Sequence, residues 1–161
     1  MTNLGQPRLF LDSNIFVEAF KSKFGLSKAI ISLAWSKLVR LVVSEVVLEE
    51  VQDNLLRYAQ KLSASEADEL RKDWTEFMKR VGPEIIPKPS EDEVVTNLPT
   101  ILPLIRHRND VPVLLTALKA QPDWLVTRNR SHFTDEVAEA RGIRIADPEE
   151  WFAHLIRTAQ T

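Results

Sequence analysis

The chain has 161 residues, 44% hydrophobic and 27% charged, with a formal net charge of −2, a balance that fits one globular, soluble domain with its own core. It contains no cysteine, which excludes disulfides, thiol catalysis and zinc–thiolate sites. No apolar run approaches the roughly 20 residues that span a bilayer and the N-terminus lacks a signal-peptide core, so the expectation is a cytoplasmic protein without a membrane partner.

Leu9-Phe10-Leu11 is a short apolar run, the pattern of a strand buried on both faces of a parallel sheet. Asp12 follows at its carboxyl end, where open α/β sheets gather ligands, and Ser13 or Asn14 is expected to cap a helix through Ile15, Phe16 and Phe20. A helix started by Ser27 is expected over Leu26 to Leu38, then a strand Leu41-Val42-Val43 ended by Ser44, which can cap the next helix. Glu45 to Gln60 reads as a helix with Val47, Leu48, Val51, Leu55 and Tyr58 in its apolar stripe. On that helix Glu50 lies at the edge of the stripe and Glu49 points away from it, which makes Glu50 the candidate for a cleft at the sheet end.

Ser65 with Asp68 suggests the start of a helix carrying Leu70, Trp74, Phe77 and Met78 to Gly82-Pro83, and Glu84 to Pro87 suggests a short strand. Five of the nine prolines fall between Pro83 and Pro103, which predicts an irregular crossing with a turn of helix around Glu91 to Val95. Asn109-Asp110-Val111-Pro112 opens another helix, with Asp110 at an N-terminus whose dipole favours an ionised carboxylate. Trp124-Leu125-Val126 is a further buried strand, and the turn Thr127 to Phe133 leaves its carboxyl end. A helix over Thr134 to Ala140, a strand Ile143 to Ile145 and a final helix complete the chain; Asp147, Pro148 and Glu150 form a capping box at the start of that last helix. There are no internal repeats.

Strands alternating with helices imply a parallel sheet covered on both faces, with its carboxyl ends converging on one edge. Asp12, Glu50 and Asp110 are all placed near that edge. Acids that meet in one cleft stay ionised only beside a cation, and hard oxygen ligands suit Mg²⁺ or Mn²⁺, which activate water in phosphodiester hydrolysis.

The arrangement resembles the PIN-domain ribonucleases, the superfamily that includes VapC-type toxins. The likeness runs from Leu9 to about Trp151. It is carried by Leu11-Asp12-Ser13-Asn14-Ile15-Phe16, by Val42-Val43-Ser44 followed by Glu50, by Asp110-Val111-Pro112-Val113-Leu114 and by Asp123 to Asn129. The resemblance implies a single α/β domain over 1–161, a three-layer α/β/α sandwich with a central parallel sheet. It implies a metal-dependent endoribonuclease with Asp12, Glu50 and Asp110 as catalytic, metal-binding acids and with Asn14 and Thr127 as supports. The cofactor would be Mg²⁺ or Mn²⁺. The partners it allows are an RNA substrate, an antitoxin protein and a second copy of the chain in a homo-oligomer.

There is one departure. Where the family commonly carries a fourth acid after the last of these strands, this chain has Asn129 and His132, which can ligate a metal or orient water but bring no negative charge at neutral pH. Arg106, Arg108, Arg128 and Arg130 are individually solvated side chains, or, as a group around the cleft, a grip for an RNA backbone. Read more plainly, Glu50 is a helix-surface acid, Asp110 an N-cap, Asp123 a turn residue, His107 and His154 surface residues, and Trp35, Trp74 and Trp151 core anchors. Two other functions compete: a PIN-like RNA-binding or interaction module that has lost catalysis, and a phosphatase of the haloacid-dehalogenase type. The phosphatase would need a second Asp where Asn14 stands.

Overall fold

The structure is a computed structural model that describes residues 5–160. Strand β1 (Arg8–Leu11) leads to α1 (Ser13–Lys21) and α2 (Leu26–Trp35), and β2 (Arg40–Ser44) to α3 (Glu45–Ala59) and α4 (Ala64–Val81). Then come β3 (Glu84–Ile86), α5 (Glu91–Ile101), a 3₁₀ turn over Arg108–Asp110 and α6 (Val111–Ala120). The chain ends with β4 (Trp124–Val126), α7 (Asp135–Arg141), β5 (Ile145–Ala146) and α8 (Pro148–Ala159). All pairings are parallel, and the strand order is β3-β2-β1-β4-β5.

This order places the site. The chain steps outward from β1 to β3, then crosses back to enter β4 on the other side of β1. With right-handed crossovers, α1 to α4 cover one face and α5 to α7 the other, giving three layers. The contacts agree: α1, α2, α3 and α4 pack on one another, and α5 packs on α6. Leu9, Phe10, Leu11, Val42, Val43, Leu125 and Val126 are sealed from solvent, as strands covered on both faces must be. Between β1 and β4 the winding reverses, and at such a switch point the crevice opens beyond the carboxyl ends of the strands.

Several boundaries differ from expectation for local reasons. The cap of α1 is Asp12 itself, whose carboxylate accepts from the Ser13 N–H, rather than Ser13 or Asn14. Helix α2 begins after Gly25 and stops at Trp35, because Lys37 turns left-handed and the Leu38 N–H returns to the Leu33 carbonyl; Leu38 is left exposed. Trp35 is no core anchor: it lies at the surface with the Arg80 guanidinium over its ring. Trp74 packs edge-on against Phe16 and Phe20, and Trp151 is buried. The cap of α4 is Ser63, not Ser65, since the longer Glu66 side chain closes a reciprocal box that Asp68 does not. Helix α5 is a full helix through Pro99 rather than one turn, started by Ser90 and three first-turn acids that favour its dipole. Strand β5 begins at Ile145 because the Ile143 N–H closes the end of α7 on Ala138 behind left-handed Gly142.

Candidate active site

The register sets Leu11 beside Val126, so the next residues, Asp12 and Thr127, stand side by side at the switch point. The Asp12 N–H extends the ladder by donating to the Val126 carbonyl at 3.0 Å. Asp12 is 6% exposed and Thr127 fully buried. One carboxylate oxygen, Oδ1, accepts from the Ser13 N–H at 2.8 Å, and Oδ2 accepts the Thr127 hydroxyl at 2.7 Å. Asn14 Nδ2 lies 3.4 Å from both Asp12 Oδ2 and Thr127 Oγ1, while its Oδ1 accepts the Arg128 N–H at 2.9 Å. Asn14 thereby ties β1 to the turn after β4.

Burial is the main force on Asp12 and raises its pKa above the ordinary carboxylate range. The Thr127 and Ser13 hydrogen bonds pull it back, and the charges of Glu50 and Asp110 push it further up. The two remote acids are thus electrostatic neighbours of Asp12. Glu50 arrives on the second turn of α3, capped by buried Ser44, and its side chain is exposed. Glu49 instead pairs with Lys88 at 3.3 Å on the surface. Asp110 ends the 3₁₀ turn, is largely shielded, and meets His132 Nδ1 at 2.6 Å through Oδ2. His132 is therefore turned toward Asp110. Asn129 uses its backbone N–H on Thr127 Oγ1 and its side-chain oxygen on Ser131, so its amide is committed to the turn.

The donor chemistry fits a hard divalent cation. A buried carboxylate facing two like charges is stabilised by a positive ion, and all three donors are oxygens. The fit is not preformed: among the described residues no three acids or histidines stand close enough to enclose an ion. Asp12 is fixed by its hydrogen bonds, Glu50 is exposed, and Asp110 is held by His132.

The predicted arginines divide. Arg128 donates from Nε and Nη2 to Glu18 at 3.1 and 3.0 Å and also pairs with Glu149; these bonds, to Glu149 above all, hold it more firmly charged. Arg130 pairs with Asp135 and Glu150. Arg106 and Arg108 are exposed, and among the described residues their side chains make no ion pair. One contact escaped the sequence reading. The rings of His107 and His132 stack with centroids 3.6 Å apart and planes 16° from parallel. The signal was the spacing of His107 three residues before Asp110, but nothing local to the sequence placed His132 beside it.

A buried acid at the switch point of a five-stranded parallel sheet, with two more acids near it, defines an α/β protein with a sheet-end acidic site. A PIN domain model matches residues 8–131, and the chain belongs to that family. Similar solved structures include VapBC2 from Rickettsia felis bound to a DNA fragment from its promoter, 21% identical over 87% of this chain and 98% of that one, with a TM-score of 0.58. FitAcB from Neisseria gonorrhoeae is 16% identical over 87% of this chain and 97% of that one, with a TM-score of 0.62. PAE2754 from Pyrobaculum aerophilum is 20% identical over 98% of both chains, with a TM-score of 0.55. No curated protein matches the sequence. Among the described residues no helix is long and apolar enough to cross a membrane.

Proposed function

We propose that the chain is a metal-dependent endoribonuclease and the toxin of a toxin–antitoxin pair. The observation that carries this reading is Asp12: buried at the switch point, bonded through both oxygens, and pressed by the charges of Glu50 and Asp110. Asp12, Glu50 and Asp110 would hold Mg²⁺ or Mn²⁺. Such an ion, when bound, supplies an activated water and charge for the leaving oxygen of the phosphodiester.

The chain's own residues do the rest. Thr127 and the Ser13 N–H fix the direction of the Asp12 oxygens, and Asn14 keeps the turn after β4 in place. His132 holds the Asp110 carboxylate at its mouth of the cleft. Arg106 and Arg108, exposed beside Asp110, supply positive charge for an RNA backbone. Support for a protein partner comes from the fold shared with VapBC2, itself solved on promoter DNA.

The test is cleavage of RNA with Mg²⁺ or Mn²⁺ by the parent and by Asp12→Asn. Loss of one ligand to the ion removes several kcal/mol of transition-state stabilisation, a fall of at least about a hundredfold. Equal rates would sink the assignment. A second reading, an RNA-binding module without catalysis, is favoured by Asn129 and His132, which bring no negative charge to the turn. A Mn²⁺ titration separates the two, since a module without chemistry has no use for the ion.

A further inference from the structure

We propose that His107, backed by His132, is a stacking platform for an unpaired nucleobase of the RNA at the mouth of the acidic cleft. The proposal rests on the ribonuclease reading above and adds a base-binding subsite to it. Its carrying observation is the stack itself, at 3.6 Å between centroids and 16° between planes.

The geometry is that of a half-filled stack. His107 is exposed, and among the described residues its one aromatic contact is the His132 ring. One face is therefore covered, and the exposure of the residue leaves ring surface open to solvent. The inner ring is pinned, because His132 Nδ1 lies 2.6 Å from Asp110 Oδ2 and the His132 N–H donates to the Asn129 carbonyl. The outer residue is anchored through its backbone, whose carbonyl accepts the Asp110 N–H at 3.0 Å. A flat ring already stacked on a pinned neighbour loses little freedom when a base is laid on it, and histidine is among the side chains on which splayed RNA bases stack.

The flanking charge selects the ligand. Arg106 and Arg108 adjoin His107 in sequence and are exposed, with no ion pair among the described residues, whereas Arg128 and Arg130 are tied to Glu18, Glu149, Asp135 and Glu150. An exposed imidazole with an arginine on either side of it in sequence fits a base with its neighbouring phosphates; an acidic peptide would satisfy the arginines and leave the ring unused. Bases inside a duplex are already stacked on each other, so the platform takes a base from a single strand.

The experiment measures binding without cleavage, in EDTA at low ionic strength. The probes are a short single-stranded RNA carrying one 2-aminopurine and the same strand annealed to its complement. The expected result is quenching of 2-aminopurine by the parent with the single strand and none with the duplex. His107→Ala should abolish quenching and weaken binding roughly 5- to 100-fold, and His107→Phe, which keeps a flat ring, should restore both. Arg106→Ala and Arg108→Ala should keep quenching while each lowers the salt slope by about one.

Quenching by His107→Ala equal to the parent's overturns the platform, as does a His107→Phe variant no better than the alanine. An acidic decapeptide that binds where RNA does not would assign the surface to a protein and overturn it too. Cleavage by the parent and by Asp12→Asn is followed in parallel. A parent that cleaves in an Asp12-dependent way but ignores His107 loses this proposal alone, whereas a parent that neither binds nor cleaves RNA loses the ribonuclease reading with it.

Discussion

The acidic cleft has two unlike edges. On one, Asp12 is carried on a central strand, buried, and bonded to a backbone N–H and a buried hydroxyl. On the other, Asp110 sits at the end of a 3₁₀ turn in an irregular connection, and the hydrogen-bond partner of its carboxylate is the His132 imidazole. Glu50, on the helix between them, is exposed. The first edge is set by the fold, through a strand, a backbone N–H and a buried hydroxyl. The second is set by side chains alone, and under the proposed function ion affinity, metal preference and substrate contact would be adjusted there.

The sharpest way to break this comparison is at Asp12. Asp12→Asn should lower cleavage at least about a hundredfold yet leave the protein as stable at neutral pH or more so. The sign follows from the raised pKa. Below its unfolded value of 3.8 Asp12 is protonated in both states; as pH rises from there through the higher native value, the folded state holds the proton longer and stability falls. The asparagine variant has no such proton. The gap in melting temperature between variant and parent should therefore widen as pH rises through that window and close below it. Melting curves from pH 3 to 7 check this, and a variant less stable at neutral pH would mean that the carboxylate is a structural cap rather than a burdened ligand.

The next test compares neighbours on α3. Glu50→Gln should cut cleavage by about tenfold or more, because a charge felt at Asp12 is lost from the cleft. Glu49→Gln loses only a surface pair with Lys88, more than half exposed on both sides, and should shift stability by less than about 1 kcal/mol. Rates measured on both variants decide, and equal losses would show that the helix presents a different face to the cleft.

How much of this was legible in the sequence depended on how local the cause was. The short apolar runs around Phe10, Val42 and Leu125 specified a parallel core, but the strand order, and with it the switch point between β1 and β4, is a long-range property that the structure supplies. Caps with one candidate, Ser44 and Asp147, read correctly. Where two serines competed, as at Ser63 and Ser65, reach of the side chain three residues on decided the outcome, and composition did not announce it. Left-handed Lys37 shortened α2 without a glycine to mark the turn. The burial of Arg128 and Arg130 in ion pairs depended on α1, α7 and α8 meeting the turn after β4, a long-range event. The His107–His132 stack is of the same kind.

The edge at Asp110 is sharpened by His132→Asp. Three carboxylates and one divalent ion leave a single net negative charge, too little to hold a second ion without the phosphate of the substrate. An aspartate in place of His132 would face Asp110 across hydrogen-bond distance, and two such carboxylates remain ionised together only with a cation between them. Calorimetry should find a second ion bound, and cleavage should turn toward Mg²⁺, since an oxygen replaces a nitrogen near the site. Unchanged stoichiometry and preference would remove the turn from the site.

The smallest expected effect belongs to the fixed edge. Arg128 links α1 to α8 through Glu18 and Glu149, and its side chain is 28% exposed. Arg128→Ala should cost about 1 kcal/mol, or some 2–4 °C in melting temperature for a domain of this size. The backbone N–H that Asn14 accepts survives the substitution, so the geometry at Asp12 should hold and cleavage should change less than about threefold. RNA binding should keep the parent's salt slope, because an arginine already paired with two carboxylates releases no counterions from phosphate. Melting curves and binding measured across salt concentrations test both halves. A variant with the parent's melting temperature but a slope lowered by about one would show Arg128 leaving its carboxylates for RNA, and the fixed edge would then share in substrate contact with the one at Asp110.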